Sequence, residues 1–217
     1  LHKHKVDRQL DADAMTPREA SAFMLDLLDT VEFLHRCGIV HRDLKLDNVL
    51  LDESKARCVL ADLGIARDML GERGLSTDLG ISIGTLGYMS PEQYDYLTFF
   101  KDKIDQDEAW AFNTPGRAPT PGKVDERADI YALGIIFAEL LGGRNPISDQ
   151  AYESGDAERL RLEYKNYIPD DVDPPYRAIV EKATSYMPSG RYDSIRMMRR
   201  DLVSIISPSA AKTGDAV

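Results

Sequence analysis

The sequence predicts a mainly α-helical domain that carries one short β-hairpin. Three observations predict it: apolar residues at three- and four-residue spacing after Thr16, two short apolar runs flanking residues 52–55, and an almost wholly apolar run at 129–141. The first dozen residues, 1–12, are polar and show no clear period. Thr16-Pro17-Arg18-Glu19 then has the form of a helix start, with Thr16 as N-cap, Pro17 in the first turn and Glu19 completing a capping box. Phe23, Leu27, Val31 and Leu34 mark one buried face, and Gly38 fits a left-handed cap, so a helix is expected over 16–36. An irregular polar loop at 39–48 follows. Val49-Leu50-Leu51 and Cys58-Val59-Leu60-Ala61 flank the turn-rich Asp52-Glu53-Ser54-Lys55 and read as a hairpin. A turn centred on Ser54–Lys55 sets Asn48 opposite about residue 61, so Asn48 and Asp62 meet at its open end. Two oxygen donors that close can share a hard cation such as Mg²⁺.

Residues 65–90 and 93–124 read as long loops, the second ending in the cluster Pro115, Gly116, Pro119, Pro121, Gly122. The run at 129–141 is too short for a bilayer, carries Glu139, and reads as a central helix buried on most sides. Gly142-Gly143 stops it. Amphipathic helices are expected at about 155–166, 174–186 and 193–206, the last capped by Asp193, with a frayed tail at 207–217. No internal repeat is visible.

The chain has 217 residues and a formal net charge of −10, with the acidic excess spread through both halves. It is long enough to bury a sizeable core without disulfide or metal staples. No basic stripe points to nucleic acid or an anionic membrane. Cys37 and Cys58 fit no zinc spacing and read as packing residues in a reducing, cytoplasmic setting. No segment has the form of a signal peptide or membrane span.

The segment that carries chemistry is His41-Arg42-Asp43-Leu44-Lys45-Leu46-Asp47-Asn48. It gathers a carboxylate, a cation and an amide in one loop after a well-anchored helix. Phosphoryl transfer needs those parts: a carboxylate for the acceptor hydroxyl, a cation for the moving phosphoryl group, and a metal ligand. With Asp62-Leu63-Gly64 after the hairpin, this resembles the catalytic loop and magnesium motif of eukaryotic-like (Hanks-type) Ser/Thr protein kinases, closest in style to bacterial members. Leu63 replaces the usual Phe, a mild departure. Gly84-Thr85-Leu86-Gly87-Tyr88-Met89-Ser90-Pro91-Glu92 resembles the end of a kinase activation segment, with Ser90 where the family usually has Ala. Asp129-Ile130-Tyr131-Ala132-Leu133-Gly134 resembles the start of the family's central helix, and Arg191 near Tyr192 resembles its late Arg.

The resemblance implies a kinase C-lobe over 1–206, with a catalytic loop at 41–48 and an activation segment at 62–92. It also implies ATP and Mg²⁺ as cofactors and a protein substrate. Asp43 would accept the proton of the substrate hydroxyl, Lys45 would stabilise the transferring phosphoryl group, Asn48 and Asp62 would hold Mg²⁺, and Thr85 would shape the acceptor site. Arg42 and Arg67 would collect a phosphate added to Ser76, Thr77 or Ser82, Thr77 being the first choice. His41 would hold the loop, Asp129 would brace its backbone, and Glu92 would pair with Arg191.

Two departures stand out. No Gly-rich loop, Ala-x-Lys strand or partner Glu precedes the catalytic loop, and Leu1 falls about where the hinge should be. The N-lobe of the same protein is therefore expected as a partner, and the 217 residues alone are expected to be nearly inactive. The interval between Glu92 and Asp129 is long for the family, and about 97–123 reads as an insertion. There Trp110 with Phe99, Phe100 and Phe112 fits either a docking patch or packing onto its own lobe. Two readings follow: the catalytic lobe of a Ser/Thr kinase, or a kinase-derived scaffold that transfers no phosphate. Retention of Asp43, Lys45, Asn48 and Asp62 favours the enzyme.

Overall fold

The computed structural model describes residues 3–5, 15–52, 57–61, 87–94, 124–145 and 172–207. The hairpin turn, Asp62, Arg67, Ser76, Thr77, Ser82, Thr85, the 97–123 insertion, the 155–166 helix and the tail beyond 207 lie outside the described residues.

Helix α1 spans Pro17–Arg36. Its start is the capping box that the sequence encodes: the Glu19 backbone N–H donates to Thr16 Oγ1, and Glu19 Oε2 accepts from the Thr16 backbone N–H at 3.0 Å. Its end is a Schellman closure. Gly38 stands at φ +75, the Gly38 N–H donates to the His35 carbonyl at 2.9 Å, and the Ile39 N–H donates to the Leu34 carbonyl at 3.0 Å. A residue with a Cβ would be strained at that φ.

Strands β2 (Val49–Asp52) and β3 (Arg57–Leu60) form the expected hairpin, with Val49 opposite Leu60. This register puts Asn48 across from Ala61, whose N–H donates to the Asn48 carbonyl at 2.8 Å. The sheet has a third strand, β1 (Lys3–Lys5), antiparallel to β2 with His4 opposite Leu51. The sequence reading leaves 1–12 without structure. Ladder pairing uses backbone groups, so three polar residues with no hydrophobic alternation can still add a strand at an edge.

Helix α2, Glu126–Gly142, is the axis of the lobe, and every side chain from Ala128 to Ala138 is buried. Each fully buried Leu, Ile or Phe here contributes roughly 1.5–3 kcal/mol by leaving water. The helix starts one turn earlier than the apolar run: Asp125 is its N-cap, accepting from the Arg127 N–H at 2.9 Å. Asp129 is thereby freed from capping. Helix α3 (Pro174–Ala183) packs on α2, ending three residues before the sequence estimate, where Thr184 Oγ1 bonds back to the Val180 carbonyl at 2.7 Å. Helix α4 (Ile195–Ile206) packs on α1 and α3. Its N-cap is Ser194; the expected cap, Asp193, instead accepts from Arg127 at 3.0 Å.

Gly134 lets α2 and α3 approach closely. A Cβ there would stand 2.6 Å from Thr184 Cγ2 and 2.8 Å from Ala183 Cβ. Cys58 packs in the core, whereas Cys37, the C-cap of α1, is exposed and does not pack. No described helix is long and apolar enough to cross a membrane.

Candidate active site

The loop between α1 and β2 holds His41, Arg42 and Asp43, and its shape is set by a carboxylate 86 to 88 residues downstream. Asp129, fully buried, accepts from the His41 N–H and the Arg42 N–H, each at 2.8 Å. Its Oδ2 also lies 2.8 Å from His35 Nε2, at the end of α1. One charged side chain on the rigid central helix thus fixes two successive loop amides and a ring. Three partners offset the large cost of burying a carboxylate.

Arg42 stands at φ +64, the left-handed region that non-glycine residues rarely adopt. Such a conformation costs about 1–3 kcal/mol and persists where neighbours over-determine it. The Asp129 bond holds its N–H, and Gln93 Nε2 donates to its carbonyl at 2.9 Å. The guanidinium reaches the Val124 carbonyl at 3.5 Å.

His41 is fully buried, and its Nδ1 accepts from the Asp43 N–H at 3.3 Å. Burial pushes its pKa below 6.5; the charges of Asp129 and Asp43 oppose the shift without reversing it. A neutral ring with Nδ1 as acceptor is the form this geometry requires.

The Asp43 carboxylate is where the side chains converge. Its Oδ2 lies 3.6 Å from Lys45 Nζ and 3.4 Å from Asn48 Nδ2. Asn48 Nδ2 also donates to the Asp43 carbonyl at 2.9 Å, which closes the loop into a ring of contacts. Oδ1 of Asp43 is shielded and has no hydrogen-bond partner among the described residues. The short 3₁₀ turn Leu46–Asn48 delivers Asn48 to this point, after Lys45 passes in extended conformation.

Residues 87–94 close the other side. Glu92 grips Arg191 through two bonds of 2.7 Å each. Arg191 uses its remaining donors on the carbonyls of Ser185, Arg127 and Tyr186 and lies 5.0 Å from the centre of the Tyr131 ring. All five guanidinium N–H groups are satisfied. Burial pushes the Glu92 pKa up, but the hydrogen bonds and charge of Arg191 outweigh it and leave the carboxyl below its ordinary value. Tyr88 donates to Glu139 on α2, anchoring the segment a second time. A small pocket between the loop, this segment and α2 is lined by Arg42, Asp43, Tyr88, Gln93 and Asp129.

A family model described as protein kinase domain matches residues 2–203. The chain belongs to the protein kinase family. Serine/threonine-protein kinase PknB of Mycolicibacterium smegmatis is 30% identical over 196 residues, covering 88% of this chain and 27% of that protein. Serine/threonine-protein kinase D of Synechocystis is 28% identical over 199 residues, covering 90% and 33%. Serine/threonine-protein kinase PknL of Mycobacterium tuberculosis is 29% identical over 201 residues, covering 90% and 43%. The chain therefore spans less than half the length of each of these relatives. The kinase domain of M. tuberculosis PknI shares the fold, with a TM-score of 0.59 at 19% identity over 92% of this chain and 61% of that one. The resemblance to bacterial members of the eukaryotic-like Ser/Thr kinases therefore holds.

Within this kinase lobe, the structure brings Asp43, Lys45 and Asn48 together, sets Asp129 under the loop, and joins Glu92 to Arg191. Two further residues of the loop's support carry no motif signal. His35 is an isolated histidine in the last turn of α1, and Gln93 is one polar residue after Glu92. The only trace of either in the sequence is position: His35 follows the buried Leu34, and Gln93 lies three residues after the unusual Ser90.

Proposed function

We propose that this chain is the catalytic lobe of a Ser/Thr protein kinase that transfers the γ-phosphoryl group of ATP to protein hydroxyls. The convergence of Lys45 and Asn48 on Oδ2 of Asp43, with Oδ1 left without a partner among the described residues, carries this reading. In it, Asp43 orients the acceptor hydroxyl and takes its proton, and positioned acid–base groups of this kind contribute about 10²–10⁴-fold. Lys45 bridges Asp43 and the transferring phosphoryl group.

The donor set fits a hard cation. With Asn48 Nδ2 spent on Asp43, the amide offers its oxygen, and the hairpin register brings the chain on which Asp62 follows Ala61 alongside Asn48. Asn48 and Asp62 would hold Mg²⁺, which when bound neutralises phosphate charge. Thr85 would shape the acceptor site, and Arg42 with Arg67 would receive a phosphate on Thr77, Ser76 or Ser82. The Gly-rich phosphate cradle and its lysine are not among these 217 residues, and an N-lobe would supply them.

The test is phosphate incorporation from radiolabelled ATP by the full-length protein that contains this chain, at graded Mg²⁺. Asn48→Ala should raise the Mg²⁺ requirement and cut the rate by about 10–100-fold, as loss of a metal ligand or its support does. A wild-type protein that incorporates no phosphate favours the scaffold reading instead.

A further inference from the structure

Gln93 is 4% exposed, and among the described residues its three side-chain hydrogen-bonding contacts are to the two segments that frame the site. Its Oε1 accepts from the Ser90 N–H at 3.2 Å and from Ser90 Oγ at 3.0 Å. Its Nε2 donates to the Arg42 carbonyl at 2.9 Å. The amide orientation is fixed by chemistry: a backbone N–H can only donate and a carbonyl can only accept, so oxygen must face Ser90 and nitrogen must face Arg42. The Ser hydroxyl, at the position where kinases usually have Ala, supplies the second donor to Oε1.

The bond to Arg42 falls on the peptide that leads directly into Asp43. That peptide is held at both ends, its carbonyl by Gln93 and its N–H by His41 Nδ1. Its plane aims the Asp43 side chain. The preceding peptide is held by Asp129 at the Arg42 N–H. The backbone of 90–93 is itself anchored, through Glu92 on Arg191.

We propose that Gln93 is a positioning residue that couples the end of the activation segment to the orientation of Asp43, through the carbonyl of the left-handed Arg42. The inference rests on the catalytic reading of Asp43 and adds to it. Rearrangement of the segment at Ser90 moves the amide of Gln93, and the amide moves the Asp43 peptide. The substrate-side segment and the proton acceptor then act as one unit.

Two variants separate the halves of the bridge. Gln93→Glu, when ionised, still accepts from Ser90 but has no donor for the Arg42 carbonyl, and Gln93→Met fills the buried site with neither. Each is measured in the full-length protein with casein as acceptor, alongside hydrogen exchange of the amides at 42–44. The expected result is a fall in kcat of about tenfold or more in both variants, since small misplacements of reacting groups are costly. KM for ATP stays within about threefold, because ATP-site binding is not the interaction removed. Exchange at 42–44 speeds up in both variants while α2 amides stay protected. Wild-type kcat and wild-type exchange in Gln93→Met would overturn the proposal. If the wild-type protein transfers no phosphate, the catalytic reading fails by itself. The coupling is then decided by exchange at 42–44, and unchanged exchange overturns it.

Discussion

At Arg42 the backbone enters the left-handed region, at φ +64, and Asp129 and Gln93 hold the two ends of that residue. The energetics of the loop lie in such single contacts. Removing the Asp129 carboxylate leaves two buried N–H groups unpaired at a cost of about 1–3 kcal/mol each. Asp129→Ala should therefore lower stability by about 2–6 kcal/mol in denaturant titration, whereas a loss under 1 kcal/mol would show that the clamp carries little. His41 gives a pH signature. Its pKa is depressed by burial, so the unfolded chain takes up a proton below 6.5 that the native ring refuses. Stability should fall as pH drops through that value, with no contribution from this ring above it. His41→Leu should flatten that slope, and an unchanged slope would locate the titration elsewhere. At this scale the sequence was uneven. Asp43, Asn48 and His41 stand in a motif whose spacing is dictated by one short loop. His35 and Gln93 act through a side chain on a distant backbone group, and such a contact leaves no periodicity or pattern along the chain.

Among the elements, α1, the β2–β3 hairpin and α2 were legible: capping chemistry and hydrophobic period agree in α1, a turn-rich spacer separates the two strands, and an apolar run marks α2. The exceptions have separate causes. β1 pairs through backbone alone, and the start of α4 moves to Ser194 because Asp193 is engaged by Arg127. A tertiary ion pair outranked a local preference. The α2 start at Asp125 is the useful error, because it places Asp129 one turn inside the helix, facing the loop rather than capping its own turn. Close packing of α2 on α3 gives an element-scale prediction. Gly134→Ala drives a methyl to within 2.6 Å of Thr184 Cγ2 and 2.8 Å of Ala183 Cβ. Overpacking of this kind costs about 1–3 kcal/mol, read as a lowered thermal midpoint. An unchanged midpoint would mean that the two helices separate without cost.

For the molecule as a whole, the lobe ties its pieces together through buried charged side chains. Arg191, with no exposed side-chain surface, joins Glu92 and the backbone of three other residues. Removing one partner of such a buried pair typically costs about 3–5 kcal/mol, so Arg191→Ala should unfold at markedly lower denaturant and release residues 87–94 to protease. Wild-type stability would remove Arg191 from its place as the tie between the segment and the lobe. The pair is also pH-sensitive: the Glu92 pKa is lowered, so its contribution is present above 4.5 and is lost as acid protonates the carboxylate. All these ties converge on the orientation of one carboxylate. The most direct measurement is the phosphoryl-transfer rate of the full-length protein against its Asp43→Asn variant at saturating Mg²⁺ and ATP. A fall of about 10²–10⁴-fold with ATP affinity little changed is the predicted result. Equal rates in the two proteins would contradict the role of Asp43 as proton acceptor.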